Sequence, residues 1–211
     1  MSAGGDPGDG AGELVIASNN PAKLIEFRRL FAGLPWSLLS LEQVGFGARI
    51  DEPGPTYTDN ALAKAAAVSS ACGLPALGDD SGIEIDALHG WPGPESARWL
   101  GPQATDGERM LALLAEVERR SPDDRHARYV CALALARPGA DPVVAHGECR
   151  GTIVQPRGGN GFGYDPIFQS DELGVTFGEA GADAKDRVSH RAHAVRRLAE
   201  SGVLDARGGT A

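Results

Sequence analysis

Short apolar runs and periodic apolar spacing divide this chain into strand-like and helix-like segments. Strand-like patterns occur at five places, which are 13–17, 36–41, 127–136, 142–147 and 152–154. Apolar residues at helical spacing occur at four places, which are 24–31, 56–72, 110–117 and 195–199. Residues 83–87 alternate between apolar and acidic side chains, which predicts one more half-buried strand.

The first strand-like run is followed by the polar sequence Ser18-Asn19-Asn20 and then by Pro21. Asn20 is a favourable N-cap and proline suits the first helical position, so a helix is expected to begin at Pro21. Lys23 falls in its first turn, where a cation opposes the helix dipole. A phosphate bound at this helix N-terminus would explain Lys23, whereas plain capping is the alternative.

Two adjacent carboxylates, Asp79 and Asp80, lie between Gly78 and the pair Ser81-Gly82. The pattern places them at a junction from strand to strand or from strand to turn, where glycines let the backbone turn and a ligand approach. Adjacent carboxylates repel each other unless a cation lies beside them. Mg²⁺ is the usual cation for such a pair, and a turn with solvated aspartates is the alternative.

A glycine-rich segment at 158–166 contains Phe162 and Tyr164. Aromatic rings in such a loop are well placed to stack on a base, although they could also tuck back beneath a tight turn. Farther on, Ser189 is a suitable N-cap that places His190 and Arg191 in the first turn of the last helix. These two residues indicate an anionic or acceptor-rich ligand, with a solvated charge run as the alternative.

Composition narrows the class of partner. The net charge of −9 disfavours a nucleic-acid surface, which needs clustered Lys and Arg, and no apolar run is long enough to span a bilayer. The 3 cysteines are widely spaced and form no C-x-x-C pair, so free thiols in a reducing, cytoplasmic compartment are expected. Residues 1–12 are expected to be a disordered tail and 205–211 a flexible one, around a single domain at 13–204.

Seven motifs, in one order along nearly the whole chain, resemble the inosine triphosphate pyrophosphatase family. They are 17–20 with Lys23 and Glu26, Asp51-Glu52 before Gly54, Asn60-Ala61 with Lys64, 79–82, Pro92-Gly93 with 96–98, 161–168, and Ser189-His190-Arg191 after Lys185. Each motif alone is weak, and their shared order makes the signal specific. Three departures occur. Ser18-Asn19-Asn20 stands where many members have Thr-Gly-Asn or Thr-Asn-Asn, Asn160 stands where a further glycine is common, and residues 169–184 fit the family pattern loosely.

The resemblance implies an α/β fold with a long mixed β-sheet flanked by helices, in two lobes around a central substrate cleft. It also implies a homodimer and a Mg²⁺-dependent reaction. That reaction hydrolyses non-standard purine nucleoside triphosphates (ITP, dITP, XTP) between the α- and β-phosphates, giving the monophosphate and pyrophosphate. No membrane and no nucleic-acid polymer is expected as a partner.

The resemblance also implies a role for each matching residue. Asp80 would be the general base and, with Glu52, a metal ligand, and Asp79 would support the same site. The phosphates would be held by Ser18, Asn19, Asn20, Lys23, Lys64 and Lys185. Ser81 would contact the substrate. The base pocket would be formed by Phe162, Gly163, Tyr164, Asp165, His190 and Arg191.

Two other functions remain open at this stage. One is a pyrophosphatase for modified pyrimidine or methylated nucleotides, which the aromatic loop and His190-Arg191 disfavour. The other is a purine nucleotide sensor that binds without cleaving, which the pairing of Asp80 with Glu52 disfavours. A 6-oxo group suits the donors of Arg191 and His190, so ATP is expected to be rejected. Excluding GTP needs a second element near the 2-position.

Overall fold

A computed structural model describes residues 11–48, 50 and 54–205, and in them six strands form one mixed sheet with the order β2-β1-β3-β4-β5-β6. The strands are β1 Gly12–Ile16, β2 Trp36–Leu39, β3 Ala76–Ile85, β4 His126–Arg137, β5 Ala140–Ile153 and β6 Phe168–Ser170. β1 is parallel to β2 and β3, and the pairs from β3 to β6 are antiparallel. The expected α/β class with a mixed sheet is confirmed.

Five α-helices flank this sheet within the described ranges. They are α1 Pro21–Leu30, α2 Tyr57–Cys72, α3 Asp106–Arg120, α4 Ala182–Val188 and α5 His190–Glu200. The predicted caps are present, since Asn20 caps α1 and Ser189 caps α5. Thr105 and Glu108 form a capping box on α3. The seven-residue α4, which carries Lys185, was not predicted, because its sequence has few apolar residues from which a period can be recognised.

The predicted junction at Asp79 and Asp80 is wrong, because both residues lie inside the continuous strand β3. The flanking glycines allow close packing instead of a turn. A Cβ atom on Gly78 would lie 2.1 Å from the carbonyl oxygen of Ala61 in α2, and one on Gly82 would lie 2.4 Å from the carbonyl oxygen of Gly93. A side chain at either position would therefore collide with backbone.

The two separate strands predicted at 142–147 and 152–154 are also wrong, because β5 runs through both for 14 residues. Gly147 interrupts the apolar pattern without ending the strand. A Cβ atom there would lie 2.1 Å from the carbonyl oxygen of His190, at the start of α5. The glycine thus lets α5 rest on the sheet. The strand predicted at 36–41 ends at Leu39.

Separate apolar clusters fill the space between the sheet and its helices. α1 and α5 contribute Phe27 and Leu198 to a cluster with Leu133 of β4. α2 packs small residues such as Ala65 against β4, and α3 inserts Leu113 into a third cluster. These clusters therefore pack α1, α2 and α5 against the sheet through β4.

The expected tails fall mostly outside the described ranges, as residues 1–10 and 206–211 do, while Gly12 begins β1. The extent of a single domain at 13–204 stays a prediction. Among residues 11–48, 50 and 54–205, no helix has both the length and the apolar character to cross a membrane.

Candidate active site

Asp79 and Asp80 are neighbours in β3, so their side chains point to opposite faces of the sheet. Each is buried, with 1% and 5% of its surface exposed. Each lies beside its own lysine, since Lys23 contacts Asp79 and Lys64 contacts Asp80. Each carboxylate therefore has a cation beside it in the described part of the chain, and Mg²⁺ binding at this pair stays a prediction.

The Asp79 carboxylate is surrounded by donors. Lys23 Nζ lies 2.5 Å from Oδ2, Arg191 Nε lies 3.5 Å from Oδ1, and the Cys131 thiol donates to Oδ1 over 3.1 Å. Burial alone would raise the pKa of Asp79, but the charges of Lys23 and Arg191 lower it well below its usual range. Asp79 is therefore ionised at neutral pH and anchors the cations around it.

The Asp80 carboxylate accepts from two side chains of α2. Asn60 Nδ2 donates to Oδ2 over 3.0 Å, and Lys64 Nζ donates to Oδ1 over 3.1 Å. Asn60 in turn accepts a 2.9 Å bond from the N–H of Gly54. Asn60 and Lys64 are one helical turn apart, so both reach the same carboxylate from one face of α2.

The polar turn before α1 is organised by capping. Asn20 Oδ1 accepts from the N–H groups of Ala22 and Lys23 over 2.9 and 3.4 Å, and Ser18 Oγ accepts from Asn20 N over 3.2 Å. Asn19 is exposed. Asn20 and Lys23 also line a cleft that reaches the aromatic loop. The predicted cap is confirmed, and the phosphate role of this turn stays a prediction.

Phe162 and Tyr164 have different positions in the aromatic loop. Phe162 is half-buried and lines the cleft, beneath Lys185 Nζ at 5.0 Å and Arg191 Cζ at 5.3 Å from its ring centre. Tyr164 is buried, because its hydroxyl donates to the carbonyl of Ser96 over 2.7 Å and accepts from Trp99 Nε1 over 2.9 Å. Phe162 is thus available to stack on a ligand, while Tyr164 forms part of the wall.

The buried carboxylate of Asp165 stabilises the aromatic loop through hydrogen bonds. Its Oδ2 accepts from Phe162 N over 2.8 Å and from Lys185 Nζ over 2.7 Å. Burial raises the pKa of Asp165, and the charge of Lys185 only partly offsets this. Lys185 was expected to hold phosphates together with Lys23 and Lys64. Its ammonium group lies against the carboxylates of Asp165 and Glu26 and the rings of Phe162 and Phe177.

His190 and Arg191 enter the site from the start of α5. Arg191 donates to Ser81 Oγ over 2.6 Å and to Glu26 Oε2 over 3.1 Å. The His190 ring stacks on Tyr129 at 4.6 Å with an interplanar angle of 8°. Burial and the neighbouring cations lower the pKa of His190 well below its usual range. His190 is therefore neutral at pH 7, and its buried Nδ1 has no hydrogen-bond partner in the described part of the chain.

One cleft brings most of the predicted substrate residues together. Those that line it are Asn20, Lys23, Ser81, Phe162, Gly163, Tyr164, Asp165, His190 and Arg191. Lys64 and Asp80 do not line this cleft. Tyr129, Asp106 and Arg109 also line it and were not predicted. Tyr129 alternates like any strand residue, and Asp106 and Arg109 resemble ordinary first-turn residues of α3, so the sequence carries no signal for them.

Glu52, the second expected metal ligand, lies outside the described residues, as does Asp51. Among residues 11–48, 50 and 54–205, no group of three or more His, Cys, Asp or Glu side chains is arranged to hold a metal ion. Asp80 alone of the two expected ligands is described.

Comparison with known proteins places the chain in a family. The sequence model of the Ham1 family matches residues 14–201. A dITP/XTP pyrophosphatase of Geobacter sulfurreducens is 44% identical over 88% of this chain and 94% of its own length. One from Thermus thermophilus is 46% identical over 90% of this chain and 91% of its own length.

Solved structures agree with the sequence comparison. The Ham1 protein of Staphylococcus aureus has a TM-score of 0.80 and 32% identity, and covers 92% of this chain and 100% of its own. A HAM1 protein from Coxiella burnetii has a TM-score of 0.81 and 38% identity, over 92% of this chain and 99% of its own. The resemblance inferred from the seven motifs is therefore confirmed, and the chain belongs to the Ham1 family.

Proposed function

We propose that this protein hydrolyses non-standard purine nucleoside triphosphates, namely ITP, dITP and XTP, to the nucleoside monophosphate and pyrophosphate in the presence of Mg²⁺. The observation that carries the proposal is the cleft that joins the capped start of α1 to the aromatic loop. Asn20 and Lys23 lie at one part of its wall and Phe162 with Arg191 at another. A nucleotide needs both a cationic helix N-terminus and a flat apolar surface.

The base would stack on Phe162 and present its 6-oxo group to the donors of α5. His190 Nδ1 is buried without a partner in the described part of the chain, so a hydrogen-bonding position is available there. Lys185 and Asp165 lie against Phe162, so we assign Lys185 to this base pocket. The 6-amino group of ATP would face donors instead of acceptors, and a mismatch of buried polar groups discriminates strongly.

The phosphates would interact with the Asn20 turn, Lys23 and Lys64. In the reaction, a water oxygen bonds to the α-phosphorus, the bond to the oxygen bridging the α- and β-phosphates breaks, and pyrophosphate leaves. Asp80 would accept the proton of that water. Lys64 Nζ donates to Asp80 Oδ1 over 3.1 Å. A phosphate that binds Lys64 would draw this positive charge from Asp80, and a carboxylate that loses a neighbouring positive charge is a stronger base.

The carboxylate of Asp80 is an oxygen ligand of the kind that Mg²⁺ prefers, and Mg²⁺ needs only one or two carboxylates beside water and phosphate oxygens. Asp80 and Glu52 would hold the ion. Glu52 lies two residues before Gly54, whose N–H is joined through Asn60 to Asp80. When bound, Mg²⁺ would supply positive charge to the phosphates.

We also propose a homodimer that works on the free nucleotides of the cytoplasm. Leu100, with 41% of its surface exposed, and the packed pair Trp91 and Trp99 form the candidate interface. Light scattering after size-exclusion chromatography should give twice the chain mass, and Leu100→Asp should shift it toward one chain. A single-chain mass for the unaltered protein would contradict the dimer.

Product analysis tests the activity. ITP and XTP with Mg²⁺ should give monophosphate plus pyrophosphate, while ATP and GTP should give little. Asp80→Asn should lose at least about 100-fold in kcat, because a general base contributes about that much, yet still bind ITP. Exposed Glu116→Gln is the matched charge control. Release of orthophosphate would contradict the bond assignment. Tight ITP binding without turnover would favour the sensor instead.

A further inference from the structure

Arg109 is a cleft residue to which the proposed function gives no role. It lies near the start of α3 and lines the same cleft as His190 and Arg191 at the start of α5. Its Nη2 lies 3.2 Å from Oδ1 of Asp106, and Oδ2 of Asp106 accepts a 3.1 Å bond from Gly163 N. One carboxylate therefore joins Arg109 to the aromatic loop and holds the guanidinium close to it.

The Arg109 side chain is largely buried, although it starts from an exposed helix end. Its exposed fraction is 15%, against 55% for Asp106 and 68% for Arg119, which is also paired i,i+3 on α3. Burial raises the pKa of Tyr164 in the aromatic loop, and the positive charge of Arg109 opposes that rise. The guanidinium thus lies within electrostatic range of the base-binding wall. Within the described part of the chain, the guanidinium of Arg109 donates one hydrogen bond, to Asp106.

We propose that Arg109 is a specificity-determining residue that recognises the 2-position of the purine, an inference that rests on the proposed function. Arginine carries five donors and no acceptor. Xanthine presents a 2-oxo acceptor, so Arg109 favours it. Guanine presents a 2-amino donor that would face the donors of Arg109, so GTP is rejected. Hypoxanthine has only hydrogen at this position and is affected least.

The residues that line the cleft limit which edge of the base can face Arg109. A base stacked on Phe162 with its 6-oxo group toward His190 and Arg191 would turn a different edge toward Arg109. That edge carries either the 2-position or N7. Every purine has the same N7 acceptor, so contact with N7 would affect all substrates equally. Contact with the 2-position affects xanthine, hypoxanthine and guanine differently.

The test compares ratios of kcat/KM within each variant, so that a partly unfolded sample cancels. Arg109→Ala should lower the XTP-to-ITP ratio at least about tenfold, since a specific arginine contact to a base discriminates by about that much or more. The GTP-to-ITP ratio should rise. Arg109→Glu should move both ratios further in the same directions, because a carboxylate accepts from a 2-amino group and repels a 2-oxo group. Arg119→Ala is the control, because Arg119 is an exposed arginine of the same helix that also forms an ion pair, and it should change neither ratio.

Binding of XMP, IMP and GMP, measured by calorimetry, separates this proposal from the proposed function. Should the unaltered protein cleave no triphosphate, the proposed activity fails, and the Arg109 proposal is then decided by the XMP-to-GMP affinity ratio alone. An equal loss for all three bases in Arg109→Ala would mean contact with N7 or phosphate and would overturn the proposal. Unchanged ratios in both Arg109 variants would overturn it as well.

Discussion

Asp79→Asn should destabilise the protein through the charges that it leaves behind. Asp79 has no exposed side-chain surface, and it contacts Lys23 at 2.5 Å and Arg191 at 3.5 Å. Removing one member of a buried ion pair costs about 3–5 kcal/mol, because the remaining charge is buried without its counter-charge. Arg191 keeps Glu26 at 3.1 Å, and Lys23 is 15% exposed and can turn to solvent. We therefore expect the lower end, about 3 kcal/mol at pH 7.

The stabilisation by Asp79 should decrease as the pH falls. The pKa of Asp79 is lowered in the folded protein, so its contribution to stability is present above the pKa of the unfolded chain, about 3.9. It is lost as the pH falls toward the folded value. The difference in unfolding free energy between the unaltered protein and Asp79→Asn should be constant from pH 7 to 5. Below pH 4 it should narrow by about 1.4 kcal/mol per pH unit.

Urea unfolding followed by circular dichroism at several pH values measures this difference. Glu116→Gln is the control, since it removes a carboxylate from an exposed pair with Arg119, and such pairs contribute about 1 kcal/mol or less. A loss below about 1 kcal/mol for Asp79→Asn, or a gap that widens on acidification, would refute the electrostatic account of Asp79.

Three further predictions address packing, base binding and metal. Gly78→Ala should lower the free energy of unfolding, measured in urea, by about 2–3 kcal/mol, because the new Cβ atom would lie 2.1 Å from the backbone of α2. Gly107→Ala is the control and should not destabilise the protein, since the space around Gly107 is open. Equal effects of the two substitutions would contradict this packing account. Tyr129→Phe should keep the stack on His190, whereas Tyr129→Leu removes it and should raise KM for ITP about threefold to tenfold. Equal KM values for the two variants would contradict a role of this stack in base binding. Chelation should abolish turnover and added Mg²⁺ restore it, and turnover in excess chelator would contradict the metal.

Helix starts were predictable from the sequence because they depend on local chemistry. The capping side chains of Asn20 and Ser189 accept from N–H groups two or three residues away, so each cap depends only on a few adjacent residues. The motif order identified the family for a similar reason, because each motif lies within a short stretch of sequence. The positions of these residues relative to one another were not predictable in this way.

Glycines caused the main errors in the predicted strands, since a glycine can either allow a turn or allow another backbone to pack closely. Gly78 was taken as the end of a strand, and the strand predicted at 142–147 stopped at Gly147, yet both glycines lie inside longer strands. Each is required because another backbone passes where a Cβ atom would be, as α2 does at Gly78 and α5 at Gly147. Such a contact joins segments far apart in sequence, so no local pattern reveals it. Tyr129 and Arg109 were missed for the same reason.

Ion pairs with carboxylates hold the cations of the candidate site in place. Each cation lies beside a carboxylate, in the pairs Lys23–Asp79, Lys64–Asp80, Lys185–Asp165 and Arg191–Glu26. Unpaired, these charges would repel one another and resist burial. Pairing has a consequence for binding, because a phosphate must compete with a carboxylate for each lysine that it contacts. A ligand that engages only one part of the cleft gains little from this exchange. Selectivity should therefore be greatest for ligands that carry both a triphosphate and a matching base.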